Sequence, residues 1–559
     1  LERNLDRFGD QTFDLLIIGG GIYGACAAWE ATSRGLKTAL IEKSDFCSGS
    51  SAKIYKMIHG GLRYMQHADL PRVLSSSHER TAMLTIAPHL AQPMPIVIPT
   101  YGHGMRGKEA LRIAVAAYSL LTFGRNRLVR DPTLHIPEGR AMSRTELAQL
   151  FPELPKQDLT GAVLFYDGHV HNPARLCLAF LQSAAKQGAV IANYAEATEL
   201  IVASGKVQGA RAEDRLTNES FEIRARFVLN NAGPWAPRLI GKFFGSANTA
   251  DTVFSRDACF IVKRRFPHPY GLTLPSRSRD SDALLSREAR HLFVIPWRGE
   301  YSIVGTWHKV CGDHPEELTL TAEELEDFVS EVNDAYAGLI SSVDEVQTVN
   351  FGLIPFGKNT GSDIALSYGK RSVIIDHEKA HGVSGLLTVI GIRYTMARGD
   401  ARVAIDDIVR RLGVPGRAST THRDPIHGGD FDSFSELLAD VKRTFSSSDD
   451  PHVLDTIAHH HGSEHTALAR LIAEDVSLGE VVHGTRTLAA DVVNAVRTEM
   501  AITLSDVVFR RTGIGTGDIP SRPTVESAAA ICGAELGWSA QRRQQEIDEV
   551  MTELRWTIA

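Results

Sequence analysis

Two short stretches carry residue types whose spacing could do chemistry. In "DLLIIGGGIYGA", Gly19, Gly21 and Gly24 fit the pattern GxGxxG directly after an apolar run. The first glycine permits a tight turn, the second lets backbone approach a pyrophosphate, and the third lets helix and strand pack closely. A helix starting there offers N–H groups to phosphate, and Glu42, at the end of the next apolar run, can bind ribose hydroxyls. The second stretch, "YKMIHGGLRYMQH" (55–67), holds a Lys, two His, two Gly and an Arg. It is too polar for a core element and too rich in Gly for an uninterrupted helix, so it points to a ligand.

Phe13–Ile18 predicts a buried parallel strand, "IYGACAAWEATSR" a helix, and "KTALIE" a second strand. Strand, glycines, helix, strand and terminal acid in that order predict dinucleotide binding, without choosing NAD or FAD. Much later, "RARFVLNNAGPWAPRLI" and "HGVSGLLTVIGIRYTMARGDARVAIDDIVRRLG" again run from strand through a Gly turn to helix. The nucleotide-binding unit is therefore expected to be discontinuous. "VHNPARLCLAFLQSAAKQGAVI" predicts helix then strand, "GKVQGARAED" a strand, and 284–306 an antiparallel hairpin. The tail beyond about Asp424 is expected to be helical.

Composition narrows the function. The 559 residues suffice for two to four domains, and 43% apolar with 23% charged residues is ordinary for a globular protein. A net charge of −7 gives no whole-chain case for nucleic acid. Six scattered cysteines without a CxxC pair suit a reducing compartment and argue against a zinc site or a disulfide framework. His459, His460 and His461 are expected on a surface helix, because neighbours on a helix do not share a face. "ALRIAVAAYSLLTFG" (110–124) is too short to cross a bilayer. It reads as a buried helix or, alternatively, as an amphipathic surface anchor.

With these pieces together, the chain resembles the FAD-dependent glycerol-3-phosphate dehydrogenase and oxidase family, within the flavoproteins related to D-amino-acid oxidase. "DLLIIGGGIYGA", "KMIHGGLRYMQH", "APHLAQPMP", "FVIPWRGEYSIVGT", "NNAGPWA" and the C-terminal "LSDVVFRRTGIG" carry the resemblance, which spans nearly the whole chain. It implies an α/β fold: a Rossmann-like FAD-binding domain of discontinuous chain (12–100, 160–238 and 345–415), a β-rich substrate domain (101–159 and 239–344) and a C-terminal helical domain (425–559). It implies that Gly19, Gly21, Gly24 and Glu42 hold the ADP portion of FAD. Ser50, Ser51 and Lys56 would lie near the flavin, His59, Gly60 and Gly61 would line the isoalloxazine, and Ala232 and Gly233 would form the second dinucleotide turn. Gly391, Arg393 and Thr395 would sit at the pyrimidine end, where a cation stabilises negative charge on reduced flavin.

The implied reaction passes hydride from a secondary alcohol to flavin. His59 is a candidate proton acceptor, because a neutral imidazole is available near pH 7, and equally a candidate flavin-orienting residue. Arg63, with Tyr64 beside it, is the first choice for gripping an anionic or polyhydroxylated substrate; a structural ion pair is its bland reading. Departures cluster in the substrate pocket. Ile354 stands at a phosphate-binding Arg position and Tyr368 at another, Cys259 replaces a His near the flavin, and Trp307 follows Gly305 and Thr306 in place of a Thr. They imply a larger or less charged polyol, sugar or glycerol-phosphate derivative. Oxidation of CH–NH, or a flavin-binding scaffold with a disabled pocket, remain alternatives. The electron acceptor is quinone or oxygen. The expected location is the cytoplasm, with peripheral contact at the inner face of a membrane as a further expectation, and the helical tail serves packing or homodimer contacts.

Overall fold

The computed structural model describes residues 1–104, 107–245, 254–280, 289–311, 320–355, 365–366, 371–446 and 448–556. Leu15–Ile18 is buried at every position and lies inside a six-stranded sheet. A strand apolar on both faces needs cover on both, and a parallel sheet with flanking helices supplies it. Thr38–Ile41 and Val228–Asn230 pair with it in parallel, with Leu16 opposite both Ala39 and Val228. Val190–Ala192 and Leu386–Ile390 extend the sheet, and Val373–Asp376 closes one edge antiparallel. Val228–Asn230 thus sits between strands from positions as far apart as 15 and 390, so the nucleotide-binding unit is built from discontinuous chain. The helix Ile22–Ser33 packs between Pro173–Lys186 and Ala397–Leu412.

The second layer is a ten-stranded, mainly antiparallel sheet. Its path runs from Val346–Pro355 through Phe254–Lys263, Tyr301–Cys311, Ala289–Trp297, Gly271–Asp280, Ala91–Tyr101 and Leu159–Val170 to Met57–Ile58. The expected hairpin within 284–306 is there, with Val294 opposite Val304. The sheets divide the chain at other points than the expected boundaries. Met57–Ile58, Ala91–Tyr101, Leu159–Val170 and Val346–Pro355, all or nearly all inside the segments expected to bind nucleotide, join the ten-stranded sheet. An apolar strand pattern reports burial, not which sheet does the burying.

Two surface expectations change. The helix Lys108–Leu121 is not buried: only Val115 and Tyr118 face inward, while Ile113, Leu120 and the following Phe123 are 69%, 78% and 90% exposed. Conversely, His459, His460 and His461 are all buried. Their helix, Pro451–His461, is enclosed on several sides, so distinct faces still meet protein: His459 stacks on His171 at 4.0 Å, and His461 Nε2 lies 2.6 Å from Asp491. Among the described residues no group of three or more His, Cys, Asp or Glu could hold a metal ion.

The helical tail is locked onto the nucleotide-binding region by buried charge. Asp45, four residues past the second strand, receives Arg510 Nε at 2.6 Å and both terminal nitrogens of Arg511 at 2.7 and 2.8 Å. Burial alone would raise the carboxyl pKa, but Arg511 and Arg510 outweigh it and bring it to about 2. A group depressed in this way contributes stability above its unfolded value near 4, and that contribution is lost as pH falls toward 2. Asp45→Ala leaves two guanidiniums buried without this partner and is expected to cost about 3–5 kcal/mol, measured by denaturant unfolding at pH 7. Asp45→Asn is expected to flatten the pH dependence of stability between 4 and 2.

Candidate active site

Two adjoining cavities lie where the six-stranded and ten-stranded sheets meet. The larger, about 620 Å³, is lined by Gly19, Gly21, Glu42, Ser50, Ser51, Ala232, Gly233, Gly391 and Arg393, among others. The smaller, about 270 Å³, shares Ser50, Ile54, Ile354, Ile392, Arg393 and Tyr394 with it. It adds His59, Arg63, Tyr64, Arg72, Asp257, Cys259, Thr306, His308 and Thr395.

The glycine turn is built for close approach. Gly19 has φ +112°, and a Cβ there would lie 2.6 Å from the Asn231 carbonyl oxygen. A Cβ on Gly24 would lie 1.9 Å from the Gly19 carbonyl oxygen. Glu42, with its pKa raised by burial, accepts the Gly20 and Ser44 N–H groups at 2.7 and 3.0 Å. Ser51 Oγ accepts the Ile22 N–H at 3.0 Å, at the start of the helix. The donor set, the glycine cradle and the elongated space fit a dinucleotide whose phosphates lie at a helix N-terminus.

The smaller cavity is cationic. The Tyr64 ring has Arg72 at 3.8 Å and Arg393 at 5.1 Å from its centroid, and Arg63 lines the same space. Arg393 also donates to Ser76 Oγ at 3.0 Å. His59 is held by two contacts: its backbone N–H donates to Thr395 Oγ1 at 3.0 Å, and its ring Nδ1 lies 3.2 Å from Asp167. Asp167 also accepts from the Gly60 N–H and from Arg80, which is fully buried. A carboxylate only accepts, so Nδ1 carries the hydrogen and Nε2 is left as an acceptor. Cys259 lines the wall with its thiol pushed up to about 11 by burial, against the pull of Lys56, so it is a neutral group at pH 7.

Several residues singled out from the sequence stand elsewhere. Lys56 lines an adjoining cavity of about 110 Å³ that shares Cys47 and Ser48 with the larger one and Lys53 and Asn350 with the smaller, its ammonium 5.0 Å from the Trp297 ring. Its φ of +63° reverses the chain locally, and burial lowers its pKa to about 8. Gly60 and Gly61 lie behind the cavity wall. A Cβ on Gly60 would meet the Arg80 guanidinium at 2.1 Å and the Tyr118 hydroxyl at 2.5 Å, and one on Gly61 would meet Ser76 at 3.0 Å. Their small size serves packing against the helix Leu70–Ile86. Trp307 faces the opposite side of its strand and stacks on Phe328 at 6.0 Å, because side chains alternate and Thr306 and His308 take the cavity face. Tyr368 lies outside the described residues.

Asp167, Asp257, His308 and Arg72 were not singled out from the sequence. An acid inside an apolar strand, as in "VLFYDGHV", is the signal that could have found Asp167. Asp257 sits two positions from a residue already suspected, Cys259, and so shares its face, whereas His308 sits one position from Trp307 and takes the other face.

Comparison with known proteins gives the same outline. The profile of the family described as FAD dependent oxidoreductase matches residues 14–393, and that of the C-terminal domain of alpha-glycerophosphate oxidase matches 419–543. A glycerol-3-phosphate dehydrogenase of Synechocystis sp. is 28% identical over 559 residues, covering 98% of this chain and 97% of that protein. The mitochondrial glycerol-3-phosphate dehydrogenase of Mus musculus is 29% identical over 565 residues, 96% of this chain and 72% of that protein. Among solved structures, the glycerol-3-phosphate dehydrogenase of Bacillus halodurans complexed with FAD aligns with TM-score 0.76 at 23% identity, over 99% of this chain and 97% of that one. At that identity the likeness establishes the fold.

Proposed function

The chain belongs to the family of FAD-dependent oxidoreductases, and on that premise we propose that it oxidises the secondary alcohol of glycerol-3-phosphate, or of a closely related polyol phosphate, to a ketone. The observation that carries the substrate reading is the gathering of Arg63, Arg72 and Arg393 around Tyr64 in the smaller cavity. Ile354 removes one cation that the family resemblance implies. Three guanidiniums within one 270 Å³ space still supply charge-assisted contacts for a phosphate dianion, so a phosphate-bearing substrate is favoured over a neutral one. The names of the relatives from Synechocystis and mouse support the same substrate.

The residues lining the larger cavity would hold FAD, which would supply the two-electron acceptor for the substrate hydride. Gly19, Gly21, Ala232 and Gly233 would let backbone approach its phosphates, Glu42 would reach a ribose, and Gly391 with Arg393 would border the flavin end. Arg63 and Arg72 anchor the phosphate, which fixes the reacting carbon by its distance from the anion. His59, oriented by Asp167, lines the same cavity. A disabled scaffold would have no need of this charge. The electron acceptor is quinone or oxygen. The exposed Ile113, Leu120 and Phe123 support peripheral contact with a membrane, and hence quinone.

The test is a substrate panel on the purified holoenzyme. Glycerol-3-phosphate is expected to support turnover with a quinone analogue, glycerol far less, and amino acids none. Turnover with an amino acid alone would move the protein to CH–NH oxidation. Co-sedimentation with anionic vesicles, weakened by Leu120→Ser together with Phe123→Ser, tests the membrane contact.

A further inference from the structure

The smaller cavity holds a second imidazole–carboxylate pair, on the wall formed by the ten-stranded sheet. Asp257 of Phe254–Lys263 stands directly opposite His308 of Tyr301–Cys311 in the antiparallel register. His308 Nδ1 lies 2.6 Å from Asp257 Oδ1, and its Nε2 lies 3.0 Å from Thr306 Oγ1. Asp257 also accepts the hydroxyl of Ser255, which is fully buried, at 3.0 Å. Ser255, Asp257, His308 and Thr306 therefore form one hydrogen-bonded chain. Its inner end is sealed in the sheet, and Asp257, His308 and Thr306 all line the cavity.

The direction of the chain follows from its chemistry. The carboxylate accepts, so Nδ1 carries the ring hydrogen and Nε2 is the basic lone pair. The Thr306 hydroxyl donates to Nε2, which leaves its oxygen lone pairs to accept from a neighbour. We propose that His308 and Asp257 are the proton acceptor for alcohol oxidation, with the Thr306 hydroxyl as the relay from the substrate. The proposal rests on the oxidoreductase reading above. The C–H bond breaks with its electron pair, and hydride passes to the bound FAD. The substrate O–H bond breaks, and its electron pair becomes the new C=O bond. That proton goes to Thr306 Oγ1 as the Thr306 proton goes to His308 Nε2, and the resulting imidazolium is paired with Asp257.

Two observations favour this pair over His59 in the role. The His308 Nδ1 lies 2.6 Å from its carboxylate against 3.2 Å for His59, and the His308 side chain is 11% exposed against 45%, so the attraction between carboxylate and a newly formed imidazolium is stronger at His308 and offsets part of the burial cost. The Asp167 partner of His59 is also bound to Gly60 and Arg80, which fits it to holding the turn. Burial keeps His308 below the usual imidazole range against the pull of Asp257. Arg290 from Ala289–Trp297 and Arg63 act in the same direction as burial. The ring is therefore neutral and able to accept near pH 7.

The test uses FAD-loaded full chain carrying His308→Gln, Asp257→Asn or Thr306→Val, mixed anaerobically with glycerol-3-phosphate. The rate of flavin reduction is expected to fall by about 10²–10⁴-fold in His308→Gln, with smaller losses in the other two, and the acid limb of its pH profile is expected to disappear. Binding of dihydroxyacetone phosphate, read from perturbation of the flavin spectrum, needs no proton acceptor and is expected to stay near the wild-type value. A merely structural role would weaken ketone binding along with the rate, and that result would overturn the proposal. So would wild-type reduction and an intact acid limb in His308→Gln. Wild-type flavin that no alcohol reduces would instead overturn the proposed function, and the proposal with it.

Discussion

Gly24→Val is expected to yield protein without bound flavin. The Cβ of any residue at 24 would lie 1.9 Å from the Gly19 carbonyl oxygen, well inside the closest real contact. The obstacle is backbone, so no rotamer change relieves it. The helix Ile22–Ser33 must move off the strand Leu15–Ile18, and the first-turn N–H groups move with it. Those N–H groups are what the pyrophosphate is proposed to bind, so affinity is lost where most of it originates. Gly35→Ala is the matched control. Gly35 also has positive φ, +87°, but nothing lies within 4 Å of its Cβ position. It is expected to cost about 1–2 kcal/mol of stability and to keep its flavin, measured as the ratio of flavin to protein absorbance after gel filtration.

Arg63→Leu is expected to lower kcat/KM for glycerol-3-phosphate by about 10²–10³-fold while leaving the slow oxidation of glycerol nearly unchanged. Truncating one partner of a charge-assisted contact to an anion costs about 2–5 kcal/mol, and that range spans the expected loss. The comparison with glycerol isolates the phosphate, because the two alcohols share the reacting carbon. Arg63→Lys keeps the charge but loses the planar fork, so it is expected to fall between wild type and Leu. Equal losses on both alcohols would assign Arg63 to holding the turn after Gly61 rather than to the substrate.

What was legible in the sequence was local. The strand, glycine turn, helix and acid of residues 13–42 lie within thirty residues, and each reports its own conformation. The hairpin of Ala289–Trp297 and Tyr301–Cys311 was legible for the same reason. Residues were misplaced where one position or one dihedral decides the face. Trp307 is one residue from His308, and that single step turns it into the core against Phe328. Lys56 is expected near the flavin, and it lines a small cavity adjoining both of the larger ones, with φ +63°. Gly60 and Gly61 are expected to line the isoalloxazine; Arg80 and Tyr118 also fill the space at the Cβ position of Gly60 and Ser76 stands at that of Gly61, so their lack of a side chain serves packing that no local pattern announces.

The pairings that were not legible are long-range. His59 meets Asp167 across 108 residues, and His308 meets Asp257 across 51. Strand register creates the second pair, and nothing in either strand's own pattern announces it. The histidines at 459–461 are buried rather than exposed for a related reason, since their helix packs against His89 and His171 of the rest of the chain and against Asp491 within the tail.

The central claim is that the bound flavin takes hydride from the carbinol carbon of a phosphorylated alcohol. The most direct measurement is single-turnover anaerobic reduction by glycerol-3-phosphate, run with hydrogen and with deuterium at C2. The account predicts loss of the yellow flavin absorbance at ordinary metabolite concentrations, slowed by deuterium. Flavin that stays oxidised in glycerol-3-phosphate while an amino acid bleaches it would contradict the account.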